Sequence, residues 1–70
     1  MDPNANLAEQ DSIMRAANGR ISHVPKADRP RLRELQTALW EWIRGGGFAP
    51  EWDRFPYGTT RFVTFTQIGR

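Results

Sequence analysis

The sequence contains no cysteine and only one histidine, His23. Disulfide bonds and thiolate metal sites are therefore excluded, and a single imidazole does not assemble a transition-metal site. No long apolar run is present, so no segment is predicted to span a membrane. The first residues, MDPNANLAEQ, are polar and acidic, unlike a secretory signal. We therefore expect a cytoplasmic protein that uses no metal.

The elements of a catalytic site are also missing from the sequence. Glu34 and Glu41 are predicted to share a helix face, but that face lies opposite the apolar stripe and is expected to be solvated. The glycine run at 45–47 follows a predicted helix instead of preceding one, so it is a helix terminator and not a phosphate-binding loop. We expect no enzymatic activity and no cofactor.

A chain of 70 residues forms one domain at most, here predicted to be a single unit over 1–70. A domain of this size buries a marginal core, and small domains without disulfides or metals often depend on a partner subunit. The sequence therefore favours self-association into a homo-oligomer.

Two helices are predicted, at about 5–17 and about 29–44. Asn6 is the expected cap of the first helix, which ends at Asn18-Gly19. Asp28 is the expected cap of the second, with Pro30 in its first turn and the glycine run at its end. The predicted core comprises one apolar face of each helix and two aromatic residues that follow them: Leu7, Met14, Leu32, Leu35, Leu39, Trp42, Ile43, Phe48 and Trp52.

The remainder is predicted as an aromatic-rich structured loop over 48–58 and a β-strand at about 60–67. The pairing partner of that strand stays open: residues 20–24, a hairpin return, the same strand of a second subunit, or another protein. The predicted fold class is therefore α+β and mostly helical, with two antiparallel helices, the aromatic loop and the C-terminal strand.

Two stretches, DPNANLAEQ at Asp2–Gln10 and LRELQTALWEWIRGGGFAPEW at Leu32–Trp52, resemble a family of short uncharacterised proteins from actinobacteria and their phages. Its pattern is a DPNxxL opening followed by LxxALxEW and GGFxPxW. The resemblance implies an origin and carries no known activity. The basic connection HVPKADRPR and the continuation beyond Trp52 depart from the family pattern, and a specialised function is expected in those two segments.

Two candidate surfaces follow from the charges and the aromatic residues. The net charge is only +2, but five basic residues fall within residues 20–33 against one acid, Asp28. A possible nucleic-acid patch comprises Arg29, Arg31, Arg33 and Arg61. A possible protein interface comprises Trp40 and Arg44, together with Phe62, Val63 and Phe65 on the predicted strand.

These surfaces lead to three functional hypotheses. The first is an accessory protein of phage or actinobacterial origin that acts by protein–protein contact, with itself and with a host protein. The alternative is a small nucleic-acid-binding protein, and the third is a minor structural protein. The salt dependence of binding separates the first two, because phosphate contacts weaken steeply with salt.

Overall fold

The computed structural model describes residues 1–59 and consists mainly of helices. Helix α1 is Pro3–Ala16 and helix α2 is Arg29–Arg44. A third helix, α3, occupies residues 56–59, where the described part of the chain ends. Two short 3₁₀ turns, Ile21–His23 and Trp52–Arg54, lie in the connections between these helices.

The predicted α+β class is wrong, because the described residues are 68% helical and contain no strand. Residues 20–24, considered above as a partner strand, form a 3₁₀ turn. The N–H groups of His23 and Val24 donate to carbonyls three residues back, so this backbone is satisfied locally. The predicted loop at 48–58 contains the second turn and the start of α3. The predicted strand at about 60–67 lies outside the described residues.

Helix α1 begins earlier than predicted because Asp2 caps it. The Asp2 carboxylate accepts hydrogen bonds from Asn4 N at 3.0 Å and Ala5 N at 3.2 Å, and Pro3 occupies the first helical position. Proline is favoured there, since its missing N–H would have no partner in the helix. Asn6, the predicted cap, lies inside the helix.

The end of α1 follows the Asn-Gly signal. Asn18 adopts a left-handed conformation with φ 54°, Asn18 N donates to Arg15 O, and Gly19 N donates to Met14 O at 2.8 Å. This pair of bonds is a Schellman motif, which satisfies carbonyl groups in the last turn of the helix.

The end of α2 repeats this motif. Gly46 has φ 95°, Gly46 N donates to Ile43 O, and Gly47 N donates to Trp42 O at 2.9 Å. The Trp42 indole then folds back over the turn, and its Nε1 donates to Phe48 O at 2.9 Å. A Cβ atom at Gly47 would overlap the indole ring, so this position requires glycine.

Helices α1 and α2 pack antiparallel and form a hairpin. Leu7, near the start of α1, contacts Leu39, near the end of α2, and both are fully buried. Met14, at the other end of α1, belongs to a second cluster with Leu32, near the start of α2. Ala17 and Val24 complete this second cluster, although the sequence pattern did not place them in the core.

Residues 50–59, called the strap below, cross the Leu7–Leu39 end of the hairpin. Trp52 and Phe55 of the strap are half-buried and pack against the Leu7–Leu39 cluster, together with side chains of α2. The strap therefore covers the cluster of Leu7 and Leu39, whereas the cluster of Met14 and Leu32 is covered by the helices and their connection.

The prediction that Phe48 belongs to the core is wrong, since its side chain is 62% exposed. The bond from Trp42 Nε1 fixes the Phe48 carbonyl, and the indole packs edge-on to the Phe48 ring with centroids 5.7 Å apart. The indole occupies the inner side of the turn, so the phenyl ring lies on the outside.

We predict that Gly47→Ala destabilises the protein, because the new methyl group displaces the Trp42 indole. Overpacking of this kind costs about 1–3 kcal/mol, which for a domain this small lowers Tm by at least about 4 °C. Thermal unfolding followed by circular dichroism measures the change. Gly45→Ala is the matched control, since Gly45 has an ordinary φ of −80°. A Gly47→Ala protein that melts at the wild-type temperature would contradict this packing of the indole.

Candidate functional site

The basic connection between the helices forms one candidate site. A cavity of about 500 Å³ lies at the start of α2 and is lined by Lys26, Arg29, Pro30, Arg33 and Glu34. Within residues 1–59, Lys26 and Arg33 form no ion pair. Among the described residues, the cavity therefore presents two side-chain cations that are not paired with a carboxylate.

The four arginines predicted as a nucleic-acid patch have different environments. Arg29 donates from Nε to Val24 O at 3.0 Å and from Nη2 to Ser22 O at 3.4 Å, so it supports the connection as well as lining the cavity. Arg33 is exposed beside it. Arg61 lies outside the described residues.

Arg31 is bound to two carboxylates and is not a free cation. Its guanidinium forms a bidentate pair with Glu9 of α1, with distances of 2.7 and 2.8 Å, and its Nη1 lies 2.6 Å from Glu34 Oε1. These hydrogen bonds lower the pKa of Glu9 and raise the pKa of Arg31. Arg31 is therefore not a free phosphate-binding cation of the predicted patch, because its guanidinium links α2 to Glu9 of α1.

The Glu9–Arg31 pair gives the unfolding free energy a dependence on pH. A carboxyl group whose pKa is lowered by folding stabilises the folded state above its unfolded pKa, and this contribution is lost as pH falls. We predict that Arg31→Gln lowers the unfolding free energy at pH 7, and that the difference from the wild type shrinks below about pH 4.5, the ordinary value for Glu9.

Urea unfolding at pH 7, 5 and 3 tests this prediction. Arg33→Gln is the control, because it removes the same charge from the same helix without breaking an ion pair among the described residues. A pH-independent difference between the wild type and Arg31→Gln would contradict the assignment.

The predicted interface residues Trp40 and Arg44 lie together on α2. The Arg44 guanidinium lies 4.8 Å from the centroid of the Trp40 ring, a cation–π contact. Trp40 is half-buried and packs against the Leu7–Leu39 cluster, so it contributes to the core as well as to the surface. Phe62, Val63 and Phe65 lie outside the described residues.

Sequence reasoning missed a second surface, a groove between α1 and α2. Its volume is about 320 Å³, and it is lined by Met1, Ala5, Asn6, Glu9, Arg31, Glu34, Leu35 and Ala38. Trp42 follows Ala38 by four residues on α2, so its half-buried indole lies on the same face of the helix as Ala38. The exposed Phe48 ring packs edge-on against that indole. The GGF motif marked the turn, but only the position of the Trp42 indole shows that Phe48 points outward.

The two carboxylates of the predicted solvated face and the one histidine lie at the surface. Glu34 is bound to Arg31, and Glu41 and His23 are exposed. Residues 1–59 contain no group of three histidine or acidic side chains that could hold a metal ion. In the same part of the chain, no helix is long and apolar enough to cross a membrane.

Comparison with known proteins adds no relative: no family model, curated protein or solved structure matches the chain.

Proposed function

We propose that this chain is a non-enzymatic cytoplasmic protein that acts by binding another protein through the aromatic surface formed by Phe48 and Trp42. The observation that carries this proposal is the exposed Phe48 ring, which packs edge-on against the Trp42 indole. A large apolar side chain in water contributes little to the core, and aromatic anchors are enriched in protein interfaces.

The rigidity of this surface strengthens the proposal. The Schellman motif, the contact of Gly47 with the indole and the Trp42–Phe48 hydrogen bond restrict the turn before any partner arrives. Binding then loses less conformational entropy, and preorganised side chains give higher affinity for the same buried area.

The resemblance to short actinobacterial and phage proteins is compatible with such a role. If the chain is encoded by a phage, a host protein is the expected partner. A second copy of the chain is another expected partner, since a core of this size is marginal by itself.

We predict that Phe48→Ala abolishes capture of the partner while leaving the fold intact, because the ring is exposed. Tagged protein is expressed in an actinobacterial host, crosslinked in the cell and purified, and bound proteins are identified by mass spectrometry. Ile21→Ala is the matched control, since Ile21 is an exposed apolar residue at the opposite end of the hairpin.

A protein retained by the wild type and Ile21→Ala but lost with Phe48→Ala supports the proposal. Sedimentation equilibrium of the purified wild type, Phe48→Ala and Ile21→Ala proteins measures whether self-association also requires the Phe48 ring. Identical binding partners and identical association states for all three would contradict it.

The second candidate function, nucleic-acid binding, is favoured by the cavity lined by Lys26, Arg29 and Arg33.

Three phosphate contacts would make affinity for duplex DNA fall by roughly 40-fold between 50 and 200 mM salt. Fluorescence anisotropy with a labelled 20-base-pair duplex measures this slope, and Arg33→Gln is expected to reduce it by about one phosphate contact. Arg54→Gln is the control, and no binding at 50 mM salt would exclude this function.

A further inference from the structure

The strap is attached to the hairpin by polar bonds at two separated points. Asn4 Oδ1 on α1 accepts a hydrogen bond from Glu51 N at 2.7 Å, near the start of the strap. Asp11 Oδ1 accepts hydrogen bonds from Tyr57 N at 2.9 Å and Gly58 N at 3.2 Å, near its end. Both acceptors are side chains of α1.

Asp11 provides the N-terminal cap that α3 lacks in its own sequence. The residue preceding α3 is Phe55, whose side chain cannot accept a hydrogen bond, and Pro56 has no N–H. The next two N–H groups have no carbonyl partner within the helix. Asp11 supplies the acceptor from across the interface, and it is only 3% exposed.

The contact between the strap and α1 leaves no space for a side chain at Gly58. A Cβ atom there would lie 3.0 Å from both Asp11 N and Leu7 O. The backbone of α3 therefore rests directly on the backbone of α1, and this close approach brings its N–H groups within reach of the Asp11 carboxylate.

The apolar attachment of the strap is weak by comparison. Among residues 50–59, only Pro50 and Gly58 are buried, and the large side chains Trp52 and Phe55 are half-buried. The cluster of Met14, Ala17, Val24 and Leu32 lies at the other end of the hairpin and contains no strap residue. The hairpin would thus keep one of its two clusters without the strap, and segments with few buried contacts open at lower free energy than the core.

We propose that the strap is a conformational device: it opens as a unit about the exposed Ala49 while the hairpin stays folded, and Asp11 is the latch that holds it closed. Opening uncovers the apolar face around Leu7 and Leu39. Phe48 does not move with the strap, because its carbonyl remains bound to Trp42. The proposal is independent of the function proposed above.

Amide hydrogen exchange followed by NMR on the full chain tests the device. In the wild type, the amides of Tyr57, Gly58 and Thr59 are expected to exchange at least about tenfold faster than those of Leu35 and Leu39 in α2. Equal exchange of the strap and α2 would overturn the proposal, because it would show a single cooperative unit.

The latch is tested with Asp11→Ala, which removes the acceptor of the Tyr57 and Gly58 N–H groups. The same change breaks the ion pair between Asp11 and Arg15 within α1, at 2.8 Å, so Arg15→Gln is measured beside it to give the effect of losing that pair alone. Exchange of the strap amides is expected to increase a further tenfold or more, whereas that of Leu35 and Leu39 changes by less than about twofold. Asp53→Ala is the matched control, since Asp53 is an exposed acid of the strap itself. Parallel acceleration of strap and hairpin, or no acceleration of the strap, would overturn the role of Asp11.

Discussion

The contact between α1 and α2 is the interaction on which the rest of the structure depends. The helices have 14 and 16 residues, close to the length at which an isolated helix is marginal in water. Each is therefore stable only when its apolar face is covered by the other. The strap needs the same pair, because its polar bonds go to side chains of α1 and its aromatic rings pack over Leu7 and Leu39.

The interior of this small protein contains polar groups as well as apolar ones. Gln10 is fully buried and donates from Nε2 to Asn6 Oδ1 at 2.6 Å, while Asn6 donates to Leu35 O on the facing helix. Among the described residues, Gln10 Oε1 and Gln36 Nε2 are buried without a partner. A buried unpaired polar atom costs about 1–3 kcal/mol, a substantial part of the stability of so small a domain.

The charged residues show how much of the candidate site was predictable. The accumulation of basic residues in residues 20–33 is visible in the sequence, and three of them, Lys26, Arg29 and Arg33, line the cavity. Which of these cations is free is not visible there. Arg31 binds Glu9, 22 residues away, and Arg29 bonds to carbonyl groups of the connection, whereas Arg20, Lys26 and Arg33 form no ion pair within residues 1–59. The pairing of Arg31 depends on the register of α1 against α2, which local sequence does not specify.

The sequence by itself determined where α1 and α2 end and which stripe of α2 is buried. These features depend on local chemistry: the left-handed conformations of Asn18 and Gly46, and the spacing of Leu32, Leu35 and Leu39 on one helix face. Tertiary structure decided that Phe48 faces outward, that residues 20–24 form a turn, and that Asp11 caps α3. The Trp42 indole packs on the inner side of the Phe48 turn, Val24 of the connection is buried in a cluster with residues of both helices, and Asp11 lies 46 residues from Tyr57. These contacts form only when the two helices and the strap are packed together, so the local sequence does not specify them.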